Sequence, residues 1–183
     1  MKLALLLAFA ACAATQTPAP PPANRAPPAS NDEVMVTLER GECYGFCPIY
    51  KLAIHRDGRV EYRGYRFVKL EGAASRHLDP SQLDALDRAF ERADYFSLAD
   101  HYDHENITDQ PSATTSYRRS GRTKTVSHDQ GDREAPDALS TLEDEIDRIV
   151  RVEQWIGTED ERFKLREQWM KEIEAEAGSS SAP

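Results

Sequence analysis

Long apolar runs are scarce in this 183-residue sequence, and so is positive charge. The one sustained apolar stretch, Leu3 to Ala11, is too brief to cross a bilayer as a mature helix. With 30% charged residues and a mean hydropathy of −0.67, a polytopic membrane protein is excluded. Lys and Arg number 23 against 32 Asp and Glu, a net charge of −9, which argues against a nucleic-acid binder because phosphate affinity rests on clustered cations. Nucleophile elbows, phosphate-cradling glycine loops, the two-His metalloprotease helix motif and dinucleotide fingerprints are all missing, as is any internal repeat. No side chain is thereby assigned as nucleophile, base or oxyanion donor, so the expectation is no catalytic residue and no cofactor. The length suits one small domain with processed or disordered ends.

What is present begins with an address. Met1-Lys2 followed by the apolar run has the form of a secretory signal peptide, and Phe9-Ala10-Ala11-Cys12 resembles a lipobox, making Cys12 the expected lipidation site. Phe9 departs from the usual Leu, and ordinary cleavage at Ala11-Cys12-Ala13 is the rival outcome, releasing a soluble domain. Ala13 after the Cys favours an outer-membrane anchor facing the periplasm. The next residues are rich in Pro and Ala, with Pro18, Pro20, Pro21, Pro22, Pro27 and Pro28, and suit a semi-rigid spacer of extended chain. The chain thus divides into a leader (1–12), a tether (13–32), a folded domain (33–156) and a charged helical extension with a disordered tail (157–183).

Within the domain, Val34 to Arg40 and Ile49 to Arg56 alternate as strands, the second placing Tyr50, Leu52 and Ile54 on one face. Asp57-Gly58 supplies a tight hairpin into Arg59 to Tyr65, Gly64 predicts a bulge or bend, and Ala73 to Leu78 is a further short strand. Asp79-Pro80-Ser81-Gln82 is a helix start with a capping residue, proline at the first position and a reciprocal side chain. Leu83, Leu86, Phe90 and Ala93 give that helix an apolar face, closed by Tyr95-Phe96. His101 to Ser112 is polar and loop-like, and Thr114 to Arg119 with Arg122 to His128 forms a second hairpin. Leu139, Leu142, Ile146 and Ile149 share a face of a second helix, with Trp155 and Ile156 packing at its end. The prediction is an α+β domain: a mostly antiparallel sheet from two hairpins, two amphipathic helices on one face, and a charged C-terminal helix. In Thr158 to Ala177, Phe163, Met170 and Ile173 make only a broken stripe, as expected of a solvated extension, the alternative being a loosely docked helix or a partner surface.

Cys43-Tyr44-Gly45-Phe46-Cys47-Pro48 is the segment with unusual chemistry. In an exported domain, two Cys on a Gly-containing turn favour a Cys43–Cys47 disulfide that holds the bend between the first two strands. The sharper alternative is copper or thiol-redox chemistry, with Cys43 and Cys47 joined by an unassigned His among His55, His77, His101, His104 and His128. Copper-delivery proteins run from such a pair into a helix, however, whereas Ile49 to Arg56 alternates like a strand. Asp100 to Glu105 offers His101 and His104 with three carboxylates, a third and hydrolytic option, although a solvated loop is the favoured reading. Arg118, Arg119, Arg122 and Lys124 crowd the second hairpin, either meeting an anionic envelope polymer or lipid phosphate, or simply guarding a sheet from aggregation.

Taken together, Val36 to Arg40, Cys43 to Tyr50, the Asp57-Gly58 turn with Val60-Glu61-Tyr62, and Ala93 to Phe96 resemble a bacterial domain family of unknown function. Gly121 to Val126 and Leu142 to Ile149 fit its pattern too, so the resemblance spans Glu33 to Ile156. It implies an exported protein, often a lipoprotein, with a Cys-aromatic-Gly-x-Cys-Pro-x-Tyr signature, and brings no activity. The leading expectation is a lipid-anchored, non-catalytic envelope module that binds or scaffolds an envelope protein or anionic polymer.

Overall fold

A computed structural model describes residues 33–102 and 109–179, with side chains described as far as residue 175. The leader, Cys12 and the Pro/Ala-rich stretch lie outside the described residues, as do Asp103, His104 and Glu105. Seven strands form one sheet: β1 (Val34–Arg40), β2 (Ile49–His55), β3 (Arg59–Arg66), β4 (Gly72–His77), β5 (His101–Tyr102), β6 (Ser112–Arg119) and β7 (Arg122–Asp129). Their order is β4-β3-β2-β1-β6-β7-β5, and every pairing is antiparallel except β5 with β7. Helices α1 (Pro80–Arg92) and α2 (Asp137–Val150) pack on one face, followed by a single turn, α3 (Glu153–Ile156), and by α4 (Glu159–Ser179). The fold is α+β, as the alternation of patterns predicts.

The sheet is built around β1, whose Val36 and Leu38 are fully buried between Ile54 and Leu52 on one side and Tyr117 and Thr115 on the other. Alternate residues of the next strands, Val60 and Tyr62 on β3 and Val126 on β7, continue that apolar layer. Leu86, Ala89 and Phe90 of α1 and Leu139, Leu142 and Ile146 of α2 cover it. The α1 start carries the predicted reciprocal cap: the Gln82 amide donates to Asp79 Oδ1 at 3.0 Å, and Gln82 Oε1 accepts from the Asp79 amide at 3.1 Å.

Local details depart from the sequence reading in three places and sharpen it in one, at Gly64. The first hairpin turns over Arg56–Gly58, and only Gly58 there has positive φ, at 95°. His101 and Tyr102, read as loop, form β5 alongside β7, and Ser112 already belongs to β6. The irregularity predicted at Gly64 is a register shift at the end of the β2–β3 pair, where Ile49 faces Arg66 and Tyr50 faces Gly64. A methyl group on Gly64 would overlap the Leu70 carbonyl oxygen, so the β3–β4 connection can fold back over β3 only because no side chain stands there. Finally, α4 runs to Ser179, two residues beyond its predicted end, and Phe163, Met170 and Ile173 remain exposed along it.

Candidate functional site

One row of residues crosses the sheet where β1 hands over to the cysteine loop: Gly64, Tyr50, Arg40, Ala113, His128 and Tyr102, each facing the next on adjacent strands. Over this row α2 lays Glu143 and Asp147, which share a helix face because they are four residues apart. The Arg40 guanidinium donates to Asp147 Oδ2 from Nε at 3.2 Å and from Nη2 at 2.8 Å, to Glu143 Oε2 from Nη1 at 3.1 Å, and to Asp144 at 3.0 Å. Tyr50 donates its hydroxyl to the other Asp147 oxygen at 2.7 Å, and His128 Nδ1 lies 3.4 Å from Glu143 Oε2. Glu143 and His128 are buried. Burial works against the Arg40 charge, but Asp147, then Tyr50 and Glu143, more than offset it and hold the guanidinium protonated. Burial pushes the Asp147 carboxyl upward, opposed by Arg40 and by the Tyr50 hydroxyl.

This arrangement is a clamp. Its groups are spent on one another, and it ties the root of the cysteine loop, at Arg40 and Tyr50, to α2. Glu143 Oε1, the one buried oxygen of the cluster without a hydrogen-bond partner, makes the guanidinium all the more necessary there.

From that root the chain leaves β1 at Gly41, whose amide donates to the Ser112 carbonyl at 2.9 Å, and Tyr44 donates to the Asp109 carbonyl at 3.3 Å. Cys43 and Cys47 are joined by a disulfide, with Cα atoms 5.9 Å apart. The sulfurs in this form offer no thiolate pair to a metal. Among the described residues no group of three or more His, Cys, Asp and Glu is placed to hold an ion. Of the candidate histidines, His55 and His128 are buried, while His77 and His101 are exposed.

The closed loop presents Phe46 to two other rings. Phe67, at the end of β3, is 5.0 Å from it and Trp169 of α4 is 5.2 Å from it, centroid to centroid, with Phe67 and Trp169 5.3 Å apart, all edge to face. Phe67 takes a left-handed φ of 56°, unusual outside glycine, which turns the β3–β4 connection back beneath these rings. Arg66 lies over the Phe67 and Trp169 rings at 4.6 and 5.1 Å, and Arg166 over Phe46 at 5.0 Å. Beside the rings opens a cavity of about 190 Å³.

Both walls of this cleft are tethered. Lys69 and Leu70 donate their amides to the Ile156 and Trp155 carbonyls at 3.2 and 2.8 Å. Thr158 and Glu161 form a capping box at the start of α4, and Lys69 Nζ reaches Glu161 at 2.6 Å. The helix α4 therefore docks through Trp169, with Leu165 beside it at the cavity, and not through the exposed Phe163, Met170 and Ile173 stripe that hydropathy alone picks out.

The chain matches the family described as Domain of unknown function (DUF6438) over residues 34–150. It belongs to that family. A comparison with curated proteins found no match. The DUF6438 region runs from the first residue of β1 to the last of α2, so it contains the Arg40 clamp and the disulfide loop, while Trp169 lies beyond it.

On the second hairpin of this DUF6438 domain, the cations expected to meet an anion already have partners. Arg118 pairs with Glu33 at 2.5 Å, Arg119 with Glu91 and Lys124 with Asp100 at 2.6 Å, and Arg122 lies over the Phe96 ring at 4.2 Å. The clamp itself escapes sequence reasoning, which places Tyr50 on one face of its strand but joins none of Arg40, Tyr50, Glu143 and Asp147 to another. Their one signal is a pair of carboxylates, Glu143 and Asp147, set beside Leu142 and Ile146 on an otherwise apolar helix face.

The buried tyrosines of the domain give it a pH limit. Burial, reinforced by Glu71, pushes the Tyr62 hydroxyl up to about 12, and burial raises Tyr50, Tyr95 and Tyr117 as well. A folded pKa above the unfolded value of 10.0 means stability that is complete below pH 10 and lost as pH rises through the folded value. The melting temperature is expected to fall between pH 10 and about 12, with tyrosinate absorbance at 295 nm growing in step with unfolding. Ionisation of all four near pH 10 in a still-folded chain is the contrary result.

Proposed function

We propose that the chain is a lipid-tethered, non-catalytic binding module of the cell envelope, held at the outer membrane through Cys12 and the Pro/Ala-rich spacer, and that its ligand surface is the cleft at Phe46. The observation that carries the reading is the position of Phe46: a disulfide-closed loop holds it between Phe67 and Trp169, at the edge of a cavity of about 190 Å³. Ligand sites combine such aromatic walls with a few polar groups. The clamp beneath supplies the rigidity that a binding loop needs, since Arg40 and Tyr50 fix both strands from which the loop springs.

Two measurements test the two halves of the reading. The intact mass of envelope-extracted protein should carry an acyl increment that Cys12→Ser abolishes; an unmodified, freely soluble chain would remove the anchor. Low-molecular-weight fractions of an envelope extract should shift the emission of Trp169, assigned by its loss in Trp169→Phe, and Phe46→Ser should abolish the shift. Silence of Trp169 towards every fraction would remove the cleft as a ligand surface.

A further inference from the structure

The cleft at Phe46 is charged at its rim as well as aromatic at its wall. Arg66 and Arg166 line it, and so do Glu71 and Glu172, while a third guanidinium there, Arg162, donates to the Gly157 carbonyl at 2.5 Å. No ion pair joins either arginine to either carboxylate, nor does any of the four pair with another described residue, in contrast to Arg118, Arg119 and Lys124 on the second hairpin. The two guanidiniums instead lie over rings, Arg66 within 4.6 Å of the Phe67 centroid and 5.1 Å of the Trp169 centroid, Arg166 within 5.0 Å of that of Phe46. A guanidinium held over an aromatic ring spends no N–H group on a carboxylate there, so its donors stay available to a ligand.

Resting on the reading of this cleft as the ligand surface, we propose that it takes a small zwitterion with an apolar body, the chemistry of a free short peptide. The ligand's carboxylate meets Arg66 and Arg166, its ammonium meets Glu71 and Glu172, and its apolar side chain lies against Phe46 and Trp169. Three features of the cleft call for this class. A purely anionic ligand would face two uncompensated carboxylates, and a purely cationic one would face three guanidiniums, whereas a zwitterion satisfies both signs at once. A cavity of about 190 Å³ is below the usual range of about 300–1,000 Å³ for drug-sized ligands, and so suits an end group or a dipeptide rather than a polymer. The aromatic wall rewards an apolar side chain between the two charged ends.

Calorimetric titration of the full chain with dileucine, N-acetyl-dileucine and dileucine amide separates the contributions. Dileucine is expected to bind at least tenfold more tightly than either blocked form, since a charge-assisted hydrogen bond contributes about 1.5–3 kcal/mol and 1.4 kcal/mol is tenfold. Arg66→Gln should weaken dileucine about tenfold while leaving the amide unaffected, and Glu172→Gln should weaken dileucine while leaving the N-acetyl form unaffected. Both positions are exposed, and unchanged circular dichroism confirms that the variants fold. Equal binding of all three compounds overturns the zwitterion assignment while the cleft stands as an apolar ligand site. Absence of heat with all three also overturns it, and the response of Trp169 to envelope fractions then decides separately whether the cleft binds anything.

Discussion

Replacing Arg40 by Met should cost the domain about 3–5 kcal/mol, the range seen when one partner is removed from a buried ion pair. The reason lies in what is left behind: Asp147 loses the guanidinium that opposes its burial, and Glu143, fully buried, loses its nearest cation while Oε1 already lacks a partner. For a chain of this size the melting temperature should fall by roughly 6–20 °C. In denaturant titration the midpoint should drop with the slope unchanged, because the native surface stays the same. The loss should shrink as pH falls. In the variant the Asp147 carboxyl stands above its ordinary value with no guanidinium to draw it down, so protonation removes the stranded charge and the penalty grows again as pH rises. A second variant keeps the test informative: adding Glu143→Gln and Asp147→Asn to Arg40→Met should recover a large part of the stability, since apolar and neutral replacements of a buried charged cluster often cost little. A loss below about 1 kcal/mol for Arg40→Met alone would mean that the clamp is not what holds α2 to the loop root.

That clamp also marks the boundary of what can be read from the sequence. Features whose cause lies within a few residues were legible. The Asp79-Pro80 start of α1 works because a carboxylate, a proline and a glutamine within four positions satisfy each other, and the α2 face follows from the spacing of Leu139, Leu142, Ile146 and Ile149. The disulfide was legible for the same reason, its two sulfurs being four residues apart. Arg40 and Asp147 are 107 positions apart, and nothing near either announces the other. Their meeting depends on the register of β1 against β2 and β6, a property of the whole sheet. Strand β5 was missed on similar grounds: two residues, His101 and Tyr102, have too little pattern of their own and become a strand only because β7 offers an edge. In α4, hydropathy favours Phe163, Met170 and Ile173, yet the helix docks through Trp169, because the surface it meets presents two rings, Phe46 and Phe67, and these take one ring rather than a stripe. The candidate site was half visible, with the loop evident from its cysteines and its second wall supplied by a helix that sequence alone leaves in solvent.

Opening that loop is the second large effect expected. Cys43→Ser/Cys47→Ser removes a closure of five residues, which on the chain-entropy description stabilises by about 2 kcal/mol. The stability change is the smaller part of the argument. Phe46 sits inside the closed loop and contacts Trp169, so freeing the loop should let Phe46 leave the ring cluster and expose the indole. Trp155 serves as an internal control, being buried and stacked on Tyr62 at 4.7 Å. The serine variant, and the wild-type chain treated with dithiothreitol, should therefore both show red-shifted emission that Trp169→Phe eliminates. Dileucine binding should weaken in parallel, because the wall that receives the apolar side chain has moved while Arg66, Glu71 and Glu172 have not. Unaltered emission together with a stability loss below about 0.5 kcal/mol would place the source of loop order in the Gly41 and Tyr44 backbone hydrogen bonds and in Arg40, and would make the disulfide dispensable to the cleft. If instead emission shifts with little loss of stability, the bond acts on the loop alone, and the redox state of two cysteines sets the shape of the ligand surface while the clamp preserves the fold beneath it.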